Sequence, residues 1–324
     1  MVRVLKYYGR LLCYAATAKP RLFHILWNNK FDLFDRTVLM LYYRLLGKKI
    51  VFTAHNVNAG QRDGNDTIIN RLTLQAQYRL ADHIFVHTMR MKDELVREFG
   101  ARPEQVTIVP FGINSTVPNT RIAPVQARER LGLAASERVI LFFGGIAPYK
   151  GLEYLITAFA EVAKDCSSYR LIIAGRPKRR DWYWCRVEDA IARSGVQDRI
   201  IRKVEFVPDE EVEVYFKAAD VLALPYIRVF QSGVLFLGYN FGLPVIAADV
   251  GSLKEEIIEG ETGFVFKAAD AGDLAEVIRL YFSSELHGNL ERRRQGIRNY
   301  ASDRYSWSKV ATITTGVYSS LLGT

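Results

Sequence analysis

With 324 residues, 49% hydrophobic and 24% charged, the chain has the composition of an ordered protein large enough for two domains, which excludes a disordered tail or a small disulfide-held scaffold. Three widely spaced cysteines (Cys13, Cys166, Cys185) and five histidines without an HExxH-like spacing make no metal or disulfide framework, so no metal is expected and the cysteines fit a reducing, cytoplasmic setting. The net charge of +9 is uneven: residues 1–120 hold 17 Lys and Arg against 9 Asp and Glu, residues 121–324 hold 27 against 26.

The chain opens on MVRVLKYYGRLLCYAATAKPR. Ala15-Ala16-Thr17-Ala18 has the look of a cleavage site, but the apolar centre before it is short and broken by Tyr and Gly. Leu5, Tyr8, Leu12 and Ala15 recur at helical spacing beside Arg3, Lys6 and Arg10, which predicts a basic amphipathic helix. No run approaches the 18 or so apolar residues that would cross a bilayer. A basic, aromatic first third suits an anionic membrane leaflet or a nucleic acid, or is a solvated face with no partner. No nucleic-acid module is recognised, so nucleic acid is not expected.

Apolar, β-branched runs then alternate with helical-period segments, the signature of parallel sheets with crossover helices. Strands are expected at Leu22–Trp27, Lys49–His55, His83–His87 and Gln105–Pro110, with helices near 34–46, 66–81 and 89–99. A polar, proline-bearing piece from Asn114 to Pro124 marks the domain boundary. Beyond it, strands are expected at Arg138–Phe143, Tyr169–Ala174, Ile200–Phe206, Val221–Leu224, Pro244–Ala247 and Gly263–Phe266. Helices fall near 151–164, 182–194, 209–218, 232–241, 271–282 and 287–301, and a last one near 306–322 follows a sheet that is already complete. The class is α/β: two doubly wound, Rossmann-like domains, over 1–120 and 121–305. The first looks shortened, four strands without an initial glycine-rich βαβ.

Every candidate for chemistry ends a strand, where open parallel sheets bind ligands. Gly144-Gly145 through Lys150 lets a backbone approach an anion and sets a compact cation beside it; a plain turn with a surface lysine would leave the same trace. Gln231-Ser232-Gly233-Val234 opens a helix, with Ser232 as its cap and the amides of Gly233 and Val234 free to hold a phosphate; otherwise it is only a buried helix start. Glu255 could hold sugar hydroxyls or merely favour a helix N-terminus. His55, ending a first-domain strand, could donate to a phosphate or a hydroxyl, shuttle a proton, or be structural. His87, ending the next strand, is a weaker candidate of the same kind.

On these residues the chain resembles the retaining glycosyltransferases of family four, which have the two-domain GT-B fold. Ten motifs carry the likeness over about residues 20–320: TAHN, ADHIFVHT, VPFGI, FFGGIAPYKGLEYLI, LIIAG, FVPDEEV, AADVLALPY, QSGV, FGLPVIAADVGSLKEEI and EGETGFVF. The resemblance implies two facing domains, a nucleotide-sugar donor in 121–305 and an acceptor in 1–120. The final helix, 306–324, would cross back to the first domain. It implies catalytic roles for His55 and Lys150, and donor contacts from Gly144, Gly145, Lys150, Gln231, Ser232, Gly233, Val234 and Glu255, with no metal needed. A hexose would pass with retention from a UDP- or GDP-sugar to a glycan or lipid-linked acceptor, in surface-polysaccharide synthesis at the inner face of the membrane. Three positions depart from the pattern: Gly145 and Arg228 stand where the family has arginine and glutamate, and Leu237 replaces the second glutamate of a pair. A non-catalytic relative that binds a partner or a glycan is the alternative.

Overall fold

Strand β5, Arg138–Phe143, is an almost unbroken buried run of Val, Ile, Leu and Phe, as a strand covered on both faces by helices requires. It is the centre of the larger of two parallel sheets in this computed structural model, which describes residues 2–113, 117–120, 122–177 and 182–324, without the side chains of 62 and 63. The chain divides into two compact units: residues 1–111 with 307–324, and residues 112–306. The division falls ahead of the expected boundary at 120. Residues 114–116 and 121 of the expected boundary segment lie outside the described residues.

The first unit holds β1 (Leu22–Ile25), β2 (Lys49–Thr53), β3 (His83–Val86) and β4 (Val106–Ile108), all parallel and adjacent in chain order. The amphipathic start forms a helix, Val2–Thr17, that buries Tyr8 and Ala15. Thr67 and Thr88 cap the helices Ile68–Leu80 and Met89–Phe99 by accepting from Asn70 and Met91 amides, satisfying donors that a helix start leaves open. The helix Trp307–Leu322 belongs to this unit: Val310, Ile313, Val317, Tyr318 and Leu321 pack on Val51, Phe85 and Val109.

In the second unit the strands are β5, β6 (Tyr169–Ala174), β7 (Ile200–Lys203), β8 (Val221–Leu224), β9 (Val245–Ala248) and β10 (Gly263–Phe266). Their order is β10-β9-β8-β5-β6-β7, all parallel. Counted from β5, this is the 3-2-1-4-5-6 order of a doubly wound nucleotide-binding sheet. Helix Leu152–Asp165 shows why the layers close: Leu152, Leu155, Ile156, Phe159 and Val162 recur every three or four residues and are buried on the sheet.

The departures from expectation are local. The helix expected at 34–46 covers 32–45 and contains a π-helical stretch, Asp35–Leu39. Strands β1 to β4 and β7 stop one to three residues short of the expected ends, because residues such as His55, His87 and Phe206 lie past the last ladder hydrogen bond. Short helices at Ala59–Asp63 and Pro124–Arg130 were not expected. In the second, Pro124 is the first helical residue, where proline's fixed φ suits a helix start.

Candidate active site

The strand order of the second sheet reverses between β5 and β8, since β6 follows β5 on one side and β8 lies on the other. Chains leaving these two strands turn away from each other and open a crevice at their carboxyl ends. Gly144–Lys150 leaves β5 there, and Pro225–Ser232 leaves β8. The glycines show how closely the exits are stacked. Gly151 has φ +61°, and a Cβ on it would lie 2.1 Å from the Pro225 carbonyl oxygen; one on Gly175, after β6, would lie 2.1 Å from the Gly144 oxygen. Backbone bonds complete the join: Ile227 N–H donates to Tyr149 O at 2.8 Å, and Gly144 N–H donates to Ala174 O at 2.8 Å.

Lys150 is buried, and so is not the surface lysine of a plain turn. Its ammonium lies 5.2 Å from the centre of the Tyr226 ring and 5.7 Å from that of Phe142, within cation–π range. A Cβ built on Gly144, whose φ is +97°, would lie 3.1 Å from Lys150 Nζ and 3.4 Å from Val234 Cγ2. The β5 exit, the lysine and the first turn of helix Gly233–Asn240 therefore meet at one point. That helix starts there, and a helix start leaves its leading N–H groups without an intrahelical carbonyl.

Ser232 occupies the N-cap position, but its hydroxyl makes no cap hydrogen bond; it lies 3.3 Å from the Tyr226 hydroxyl. The expected capping by Ser232 is corrected accordingly: the Tyr226 hydroxyl holds the side chain away from the helix amides. In the sequence Tyr226 marks only the strand exit, and the PY pair that follows β8 is the signal that could have found it.

Gly145 follows Gly144 in the β5 exit, before the bridge of Ile146 with Pro177. Gln231 places both polar atoms of its carboxamide out of contact with water and outside hydrogen-bond geometry. It lies beside Glu256, whose carboxyl burial pushes up, against the downward pull of the Tyr305 hydroxyl and the Arg304 guanidinium. Tyr305 donates to the Glu256 carboxylate. Glu255 and Glu256 share the 3-10 turn Lys254–Glu256; the turn directs Glu255 outward and Glu256 inward, a difference that two identical neighbours in sequence cannot signal. Gly251, at φ +58°, lets this segment approach the β8 exit, where Ser252 donates from N–H and hydroxyl to Phe230 O.

The structure places His55 in the first unit, past the end of β2, half-buried and stacked on Trp27 with ring centres 4.3 Å apart. His55 Nδ1 lies 2.9 Å from His87 Nε2, and His87 Nδ1 lies 3.1 Å from Val109 O. Burial lowers both pKa values, that of His87 to about 4. His24 Nε2 is 2.7 Å from Thr53 Oγ1, and its Nδ1 meets the Tyr318 hydroxyl of the last helix.

A cavity of about 590 Å³ opens at the opposite, amino-terminal end of the second sheet, lined by Arg128, Arg138, Asp220 and Arg294 among others. Two of its arginines are occupied in building the fold. Arg128 bonds Ala218 O and Asp220, and Arg294 bonds Ala219 O. Among the described residues no three His, Cys, Asp or Glu side chains gather as a metal ion would need, and no helix is long and apolar enough to cross a membrane.

Two family profiles match the chain: one described as Glycosyltransferase Family 4 over residues 3–117, the other as Glycosyl transferases group 1 over residues 137–283. The chain belongs to the family-four glycosyltransferases. Among curated relatives, the D-inositol 3-phosphate glycosyltransferase of Streptomyces bingchenggensis is 31% identical over 74% of this chain and 52% of its own length. The enzyme of that name from Corynebacterium efficiens is 28% identical over 83% and 65%. The chain thus spans between half and two thirds of these relatives. Among solved structures, sucrose-phosphate synthase of Thermosynechococcus elongatus superposes with a TM-score of 0.82 at 22% identity, over 98% of this chain and 78% of that one. Anabaena HepE in complex with UDP-glucose superposes with a TM-score of 0.78 at 19% identity, over 98% and 82%. Both share the GT-B fold of this family-four member.

Proposed function

We propose that this glycosyltransferase moves a hexose, with retention, from a UDP- or GDP-sugar to a glycan or lipid-linked acceptor in surface-polysaccharide synthesis. The observation that carries the donor half is the meeting of Lys150, Gly144 and the start of helix Gly233–Asn240 at the switch point of the second sheet. A diphosphate there receives the lysine's charge and the amides of Gly233 and Val234, which together favour the charge that develops on the leaving group. Gly145, Gln231 and Ser232 shape the wall of that hollow, and Glu255 is assigned to the hydroxyls of ribose or sugar. The complex of Anabaena HepE with UDP-glucose supports this donor class.

In the transfer, the acceptor oxygen attacks the anomeric carbon from the face of the departing diphosphate. The carbon–oxygen bond to the diphosphate breaks, and the acceptor's proton passes to a released phosphate oxygen. Lys150 offsets the negative charge, and His55 contacts the sugar. No step of this scheme calls on a metal ion.

The acceptor is assigned to the first unit, held at the inner face of an anionic membrane. Its positive charge supports this, as do the exposed apolar side chains Val2, Leu5, Leu33, Leu41 and Leu45. A panel of UDP- and GDP-hexoses assayed for released nucleotide tests the reading, with release from one donor that depends on Lys150 as the expected result. No release and no nucleotide binding would favour the non-catalytic, glycan- or partner-binding role that Gly145 and Arg228 suggest.

A further inference from the structure

Three histidines, His24, His55 and His87, lie at the carboxyl ends of neighbouring strands in the first unit. Two of them form a chain that ends on a backbone carbonyl. The order of contacts is His55 Nδ1 to His87 Nε2 at 2.9 Å, then His87 Nδ1 to Val109 O at 3.1 Å.

A carbonyl oxygen only accepts, so the His87 nitrogen facing Val109 carries a proton. A neutral His87 then has a bare Nε2, which can only accept. The His55 nitrogen facing it must donate, and so carries the proton of that ring. His55, when neutral, is left with Nε2 as a bare lone pair. One carbonyl thus sets the tautomers of two rings in succession, as a partner at one imidazole nitrogen sets the other. Trp27, stacked at 15° to the His55 ring, fixes its plane. Thr88, next to His87, caps helix Met89–Phe99 and anchors the turn, and Phe111 packs edge-on against the His87 ring at 5.2 Å. His24 is the third ionisable group near the pair; Thr53 and Tyr318 occupy both its nitrogens.

We infer that His87 is a positioning residue that, through Val109 O, holds His55 as the Nδ1–H tautomer, so that His55 Nε2 accepts a hydrogen bond from a neutral sugar hydroxyl and does not donate to a phosphate. This rests on the assignment of His55 to the sugar. It selects one of the roles open to His55, because a bare ring nitrogen repels an anionic oxygen and attracts an O–H. In water, free histidine favours the opposite, Nε2–H form, so the arrangement is a property of the fold.

The test is a long-range nitrogen–proton NMR spectrum of the full chain labelled with 15N-histidine, recorded at pH 7.5 without nucleotide. Five histidines make the spectrum assignable by single substitution. Both His55 and His87 are expected to show a protonated Nδ1 and a bare Nε2. H87L is expected to convert His55 to the Nε2–H form, and H87Q, whose amide oxygen can accept from His55, is expected to retain the native form. With a donor sugar that the chain turns over, H87L is expected to lower kcat/KM about tenfold and H87Q to restore most of it. A protonated Nε2 on either ring of the native chain would overturn the inference, whether or not H87L folds, and so would an unchanged His55 tautomer in folded H87L. Because no nucleotide is present, this outcome is independent of whether the donor site in the second unit binds UDP or GDP.

Discussion

The Lys150 ammonium fills the space that a side chain at position 144 would need: a Cβ on Gly144 would lie 3.1 Å from Lys150 Nζ. Both atoms crowded by such a Cβ, Lys150 Nζ and Val234 Cγ2, end flexible or small side chains. Gly144→Ala should therefore fold, with a loss of about 1–2 kcal/mol for the positive φ, and bind nucleotide about tenfold more weakly as the lysine is displaced. At Gly175 the Cβ would meet the backbone of Gly144, 2.1 Å from its oxygen. Gly175→Ala is expected to be the more destabilised by several kcal/mol in urea unfolding; equal losses would contradict the stacking of the strand exits.

Tyr226 has two separable parts. Its ring faces Lys150 at 5.2 Å and its hydroxyl meets Ser232 at 3.3 Å. Tyr226→Phe keeps the ring and should leave nucleotide affinity within about threefold, at a stability cost of about 1 kcal/mol for the lost hydrogen bond. Tyr226→Leu removes the ring and should weaken binding by a further ~0.5–2 kcal/mol. Calorimetry on the two variants separates the contributions.

Stability should fall with acidification over a defined window. Burial holds His24 and His87 down to about 4 from 6.5 and lowers His55, His83 and His287 as well. Between these values the unfolded chain binds more protons than the folded one, so stability is full above pH 6.5 and is lost as pH falls toward 4. Urea midpoints measured from pH 7.5 to 4.5 should decline, and His87→Gln should flatten the decline, since glutamine does not titrate. A slope unchanged by H87Q would place the proton uptake elsewhere.

Almost all of the element order was legible in the sequence, and the reason is physical. Strands such as Arg138–Phe143 and Tyr169–Ala174 are continuous apolar runs, and helices such as Leu152–Asp165 repeat at 3.6 residues, so each pattern permits one reading. Helix Pro124–Arg130 was missed because its surroundings are polar and only Ala127 is buried, which leaves no periodicity to read. In the candidate site, the turns at Gly144–Lys150 and Gln231–Val234 could be found because glycine and a helix start leave marks. Tyr226, Glu256 and the His55–His87 pair depend on which way a side chain faces after the chain has folded. No spacing rule distinguishes the exposed Glu255 from the buried Glu256.

Arg228 is exposed in the β8 exit, and its N–H approaches Tyr149 O at 3.4 Å. If its charge stands in for the arginine that Gly145 lacks, Arg228→Ala should weaken UDP or GDP binding three- to tenfold, more at low salt than at high. Unchanged affinity in both salts would remove Arg228 from the donor site.

Attachment to a membrane gives a separate expectation. The full chain should sediment with vesicles containing phosphatidylglycerol and much less with phosphatidylcholine alone, and 0.5 M salt should release it. Equal sedimentation with both lipids would refute the electrostatic part of the acceptor-side proposal.

The central claim is that the exits of β5 and β8 hold a nucleoside diphosphate against Lys150. Isothermal titration of the native chain and of Lys150→Ala with UDP and with GDP tests it most directly. One nucleotide should bind the native chain at a single site, and Lys150→Ala should weaken it ten- to a hundredfold, the loss of one charge-assisted contact of about 1.5–3 kcal/mol. No heat from either nucleotide, or an affinity that Lys150→Ala leaves unchanged, would contradict it.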